Sequence, residues 1–216
     1  DTSAATTANE KSRWTDKIRL KGDLRTRYEY LNDEDRPTRT RGRMRYRLGV
    51  IADAATGVEV GAGIASGSRD QRSTNQSFGG AFSGKDMNLD YAYMQYKADN
   101  GLAGIAGKFS FKNYLWTPSD VMWDTDINPE GFSLGYAGSD AVGKFFANTG
   151  IWVIEENRTS SDDPYMAYGQ LGQGWTAGEW FGTVAVAGYA FVDINRISDI
   201  SRFDGRNTDS KLSSVN

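Results

Sequence analysis

From residue 17 the sequence alternates. Ile18, Leu20, Gly22, Leu24, Thr26, Tyr28 and Tyr30 occupy one set of positions; Lys17, Arg19, Lys21, Asp23, Arg25, Arg27 and Glu29 occupy the other. A period of two is that of a β-strand, whose successive side chains point to opposite faces. The stretch predicts a strand well beyond the roughly five or six residues usual in globular proteins. After a short polar loop at 31–37 the alternation resumes, now with charge. Arg39, Arg41, Arg43, Arg45 and Arg47 fall at every second position, with Thr40, Gly42, Met44, Tyr46, Leu48 and Val50 between and after them. A helix would scatter these arginines around its axis, whereas a strand over 38–53 puts them all on one face. No ordinary core holds that face, because burying unpaired charge is very costly. It must meet water or acidic groups, and what the Met44–Tyr46–Leu48–Val50 face meets decides the class of protein.

Similar patterning predicts strands at 58–66, 87–98, 102–109, 131–136, 144–155, 165–175 and 180–194, and the start of another at 211–216. The 87–98 strand is dense in tyrosine (Tyr91, Tyr93, Tyr96), and its faces cannot be assigned from alternation. The connections sort by length. Those at 53–57, 99–101, 137–142 and 176–179 are short, and those at 67–86, 110–130, 156–164 and 195–210 are longer. In an up-and-down meander alternate connections lie at opposite ends, so one end carries short turns and the other the long loops. That asymmetry belongs to outer-membrane barrels, and a soluble sandwich has no reason for it. Tyr28, Tyr30, Tyr165, Trp175 and Trp180 fall near strand ends, which fits interfacial girdles as well as the general preference of aromatics for strands.

Composition narrows the picture. The 216 residues suffice for one large β domain or two smaller ones. A mean hydropathy of −0.58 alone reads as soluble. No run of 18 apolar residues exists, which excludes a transmembrane helix but not a barrel, whose alternating strands average to a polar score. The absence of cysteine removes disulfides and thiolate chemistry, and the absence of histidine removes the commonest general base and metal ligand. An enzyme is therefore not expected. A net charge of −3 gives no global attraction to nucleic acid, which is not an expected partner. Residues 1–13 read as a flexible polar leader without a visible signal peptide, and 14–216 as one β-barrel domain.

Asp16-Lys-Ile-Arg-Leu-Lys-Gly-Asp-Leu-Arg-Thr-Arg-Tyr-Glu29, followed by the arginine repeat of 39–48, resembles the opening hairpin of bacterial outer-membrane porins, most closely the putative porins of Gram-negative bacteria. Leu89-Asp-Tyr-Ala-Tyr-Met-Gln-Tyr96 and Ala106-Gly-Lys-Phe109 are similar to that family's middle strands, and the likeness spans about 14–195. It implies an all-β transmembrane antiparallel up-and-down barrel in the outer membrane. It further implies lipid around the barrel, small hydrophilic solutes within it, a homo-oligomer (a trimer), and no cofactor. Porins usually end in a strand closing on an aromatic residue, whereas this sequence ends Ser213-Ser-Val-Asn216. Nine strands is also an odd number, and single-chain bacterial barrels use even ones. Further strands are expected to follow Asn216 or to come from another chain.

Two groups of residues carry the functional expectation. Arg25, Arg27, Arg39, Arg41, Arg43, Arg45, Arg47 and Lys108 are expected to line a positive pore wall. The 110–130 loop holds Asp120, Asp124, Asp126 and Glu130; by resemblance to general porins it folds into the barrel and sets these carboxylates opposite the arginines. Facing charges of opposite sign order water and select solutes by charge. Other readings are a solvated outer face of a soluble sheet, an anion or phosphate channel, and a β protein binding an acidic polymer or glycan. The 124–130 segment begins like a calcium loop, but Pro129 stands where glycine is required and Gly135 where the bidentate Glu belongs.

Overall fold

The computed structural model describes residues 14–34, 36–68, 73–158, 163–194 and 197. The expected leader, the 211–216 strand and nearly all of the 195–210 loop lie outside the described residues. A 3-10 turn, Trp14–Lys17, leads into β1 (Ile18–Asp33), β2 (Arg36–Ala55), β3 (Val58–Ser66), β4 (Gln76–Ser77), β5 (Met87–Lys97), β6 (Leu102–Lys108), β7 (Glu130–Ser139), β8 (Lys144–Val153), β9 (Tyr165–Ala177) and β10 (Trp180–Val192). All belong to one antiparallel sheet in the order β1-β2-β3-β5-β6-β7-β8-β9-β10, with β4 pairing onto β2. The sheet is an up-and-down meander, and among the described residues β1 and β10 each pair on one side only, so the described sheet is not closed. Among the described residues no helix is long and apolar enough to cross a membrane.

The elements differ from expectation mainly in their ends. The polar loop at 31–37 shrinks, because β1 runs on to Asp33 and β2 starts at Arg36, with a register shift between Leu31 and Asp33 absorbing the irregularity. β7 extends to Ser139, and the turn that follows is built by Asp140, whose Oδ1 accepts the N–H groups of Val142 and Gly143 at 2.9 Å. Those backbone donors stabilise the charged form and hold the Asp140 carboxyl below its ordinary range. The long 67–86 connection is not all loop. Its Gln76–Ser77 pairs with Met44 and Arg43, extending the sheet past the end of β3.

One face of the sheet is apolar and uncovered. Tyr46, Leu48 and Val50 remain 40–42% exposed, and the same face carries Val60, opposite Ala52, whose row runs across the register through Met94, Phe132 and Ile151. Met44 lies on the same face, half-buried. An apolar band of this extent is unusual on a protein surrounded by water and is what lipid-facing strands present. The opposite face carries the core. Ile105, Trp152, Met166 and Tyr168 are buried there beneath Phe109, Phe111, Tyr114 and Leu115, which belong to the segment after β6. The core is thus sheet against loop, not sheet against sheet.

β5 explains why its faces defeat simple alternation. Gly63 pairs with Tyr91 but Ile64 with Leu89, so Asp90 is an extra, unpaired residue. Such a bulge reverses the parity midway. Leu89 and Met94 then share the outer face, while Tyr91 and Tyr93 lie over Gly63 and Gly61 on the inner one.

Candidate functional site

The β1–β2 register sets Arg25 opposite Arg45, Arg27 opposite Arg43, Asp23 opposite Arg47, Glu29 opposite Arg41 and Leu31 opposite Arg39. All these side chains share the inner face. Like charges directly opposite destabilise a sheet, and two carboxylates in the same rows relieve the repulsion. Glu29 pairs with Arg27, Arg41 and Arg43, the last at 3.5 Å. Asp23 accepts from Arg45 Nε at 2.9 Å and from Arg47 Nε at 2.6 Å. Toward the short-turn end the pattern continues. Arg19 Nη2 donates to Asp53 at 3.1 Å and to Glu59 at 2.9 Å, and Glu59 also accepts the Tyr93 hydroxyl at 2.8 Å. The wall is therefore a mixed ladder with a positive excess, not bare arginine. Its two carboxylates were legible in the alternation, since Asp23 and Glu29 have the same parity as Arg25 and Arg27.

The segment between β6 and β7 folds onto the inner face of β5–β9. Its neck is closed by Phe109 N–H donating to Pro129 O at 3.0 Å. A 3-10 turn, Phe111–Asn113, then presents Tyr114 and Leu115 to the sheet. Gln95 Nε2 donates to the Tyr114 hydroxyl at 2.7 Å, and the Tyr168 hydroxyl donates to Tyr114 O at 2.7 Å. The Gln170 carboxamide engages both main-chain groups of Trp116. It accepts from its N–H and donates to its C=O, each at 2.8 Å. Trp123 stacks edge-on against Trp152 at 5.5 Å, and Trp152 lies 4.8 Å from Tyr168. The tip at 118–122 points away from these contacts, with Val121 95% exposed.

The carboxylates of this segment are spread along it. Asp120 is exposed on the tip. Asp124 Oδ1 accepts the N–H of Asp126 at 2.9 Å. Glu130, the first residue of β7, pairs with Lys108 Nζ at 3.0 Å, and the same ammonium donates to Asn128 O at 3.0 Å. Lys108, Asp126 and Glu130 come together with Asp90 around a cavity of about 300 Å³, where the 67–86 and 109–129 connections meet. Among the described residues none of Asp120, Asp124, Asp126 and Glu130 pairs with an arginine of β1 or β2. The structure thus gathers the arginines in one place and Lys108 with two of the acids in another. No group of three or more His, Cys, Asp or Glu among the described residues is placed to hold a metal ion. Gln95, Tyr168 and Gln170, which anchor the segment, and Ser133, which bonds Tyr168 and Trp152, were not singled out in the sequence. Their signal was a polar atom at inward positions of strands.

Long antiparallel strands in one layer, apolar on one face and polar or charged on the other, define the wall of a membrane β-barrel. A loop clamped to the polar face adds the interior of a channel protein. Residues 30–214 match the family described as Putative porin, and the chain belongs to that family. Membership supports a porin-like, non-enzymatic channel and suggests the outer membrane as its place. No curated protein matches the chain.

Proposed function

We propose that this protein lines a water-filled outer-membrane channel for passive diffusion of small hydrophilic solutes and ions. The 109–129 segment narrows the channel and the arginine wall biases it toward anions. The observation that carries the reading is the clamping of that segment, through Gln95, Tyr168 and Gln170, to the face opposite the exposed apolar one. A loop held there narrows any lumen that this face lines. No reaction is catalysed and no cofactor is needed. Lipid covers the apolar face, and assembly is homo-oligomeric, a trimer by resemblance to general porins.

The charges set the expected selectivity. Arg25, Arg27, Arg39, Arg41, Arg43, Arg45 and Arg47 outweigh Asp23 and Glu29 on the wall, while Asp120, Asp124, Asp126 and Glu130 stand apart from them. A wet lumen screens each charge over about 8–10 Å at physiological salt. Anion preference is therefore a few-fold and fades as salt rises. The test is the single-channel reversal potential in planar bilayers under a salt gradient. Replacing Arg43 and Arg45 together by Glu shifts it toward cations. Replacing Asp124 and Asp126 by Asn shifts it the other way and by less, since neither touches the wall. A reversal potential unmoved by either pair defeats the reading.

A further inference from the structure

We propose that the wall contains a saturable oxyanion site between Arg25 and Arg43, beneath residues 73–75; the inference rests on the reading of this face as the lining of a lumen. The first support is charge. Arg25, Arg27, Arg41, Arg43, Arg45 and Arg47 form salt bridges only with Asp23 and Glu29 among the described residues, with Asp90 the further carboxylate acting on Arg47, so arginines outnumber carboxylates in the described part of the cluster by two to one. The cluster is also partly withdrawn from water, the Arg43 side chain being only 14% exposed. Partly buried positive charge in excess of its counter-charge is unfavourable, and an anion relieves it.

The second support is the hydrogen bonding. Nε of Arg25 and Nε of Arg43 are both shut off from solvent and have no acceptor. Arg25 Nη2 donates to Asn75 Oδ1 at 2.7 Å, and Arg43 Nη2 reaches Ser73 Oγ and Asn75 O, each at 3.4 Å. These two Arg43 bonds are at the long end of the range and go to neutral acceptors, and its Nη1 reaches the Glu29 carboxylate only at 3.5 Å. An anionic oxygen makes a shorter, charge-assisted bond to the same guanidinium. Arg25 and Arg43 are diagonal neighbours across the β1–β2 ladder, since Arg25 pairs with Arg45 and Arg27 with Arg43. Diagonal pairs of long side chains are within reach of each other. One small oxyanion, displacing the Ser73 and Asn75 contacts from the lumen side, then bridges both planar forks. Phosphate-like and carboxylate anions share this chemistry.

The experiment is calorimetric titration of the chain in detergent micelles with inorganic phosphate and, separately, acetate, alongside block of chloride current by the same anions in bilayers. Saturable binding is expected, tighter for phosphate if the site takes a tetrahedral anion and for acetate if it takes a carboxylate. Arg25→Gln and Arg43→Gln weaken it at least tenfold, whereas Lys144→Gln, at the exposed start of β8, leaves it within twofold. Ser73→Asp keeps every arginine and supplies a tethered carboxylate, and it abolishes binding of the added anion. Absence of saturation by either anion overturns the site, as do arginine variants that bind like Lys144→Gln. A channel that conducts without saturating loses the site and keeps its transport role. Binding in micelles without conductance does the reverse.

Discussion

At Gly150 the backbone comes closer to its neighbours than any side chain allows. A Cβ there would lie 2.5 Å from Ser133 Oγ, 2.6 Å from the Tyr168 ring and 2.7 Å from Phe132 O. The same device recurs where Phe146 lies over Gly172 and Trp175 over Gly182. The ring buries its area against a strand that glycine has left flat, and covers backbone that glycine would expose. Gly150→Val should force Tyr168 off its bonds to Tyr114 O and Ser133 Oγ. Overpacking of this kind costs about 1–3 kcal/mol, which is read as a lowered unfolding midpoint in urea. Gly169 is the internal contrast, with nothing within 4 Å of its Cβ position. Gly169→Ala should be neutral or stabilising, since alanine removes freedom from the unfolded chain. Equal midpoints for the Gly150 and Gly169 variants would show that the close approach carries no energy.

At the scale of elements, the segment between β6 and β7 is held by strands far from it in sequence. Gln170→Leu leaves both the N–H and the C=O of Trp116 without their protein partners, a loss of at most about 1–3 kcal/mol for each, since both bonds are only part-buried. The segment should then loosen, and single-channel conductance should rise and become noisier, with the unfolding of the sheet little changed. Unaltered conductance would mean that the segment does not narrow the path. This anchoring is also where reading the sequence stopped. The long strands and the sorting of turns from loops followed from a two-residue period that runs for many residues. Gln170 sits in such a strand, but a glutamine at an inward position looks alike whether it meets water or a main chain 54 residues away. Asp90 hid for a related reason: one bulged residue shifts the parity, and no period survives to announce it. Gln76 and Ser77 carry no strand pattern, and pair only because β2 outruns β3 and leaves an edge to cover. Asp23 and Glu29, by contrast, stood in plain alternation with the arginines they neutralise.

For the whole molecule, the open edges matter most. A strand edge facing hydrocarbon has backbone groups with no water to bond them, so spanning sheets close. We expect the free sides of β1 and β10 to be paired in the membrane by further strands, from the same protein or from another copy. Amide hydrogen exchange in detergent checks this. Outward-bonding N–H groups of Trp180–Val192 should be as protected as those paired to β9, and fast exchange on alternate residues of β10 would sink the expectation.

The clamp on Trp116 has a consequence for how such a protein changes over time. Gln170 grips main-chain atoms, and Tyr168 likewise bonds the carbonyl of Tyr114 rather than its side chain. The identity of what lies beyond, from Pro118 to Met122, contributes nothing to those grips. Fastening and variation are thereby separate inheritances: the tip is a replaceable insert, free to change one substitution at a time without rebuilding the sheet that carries it.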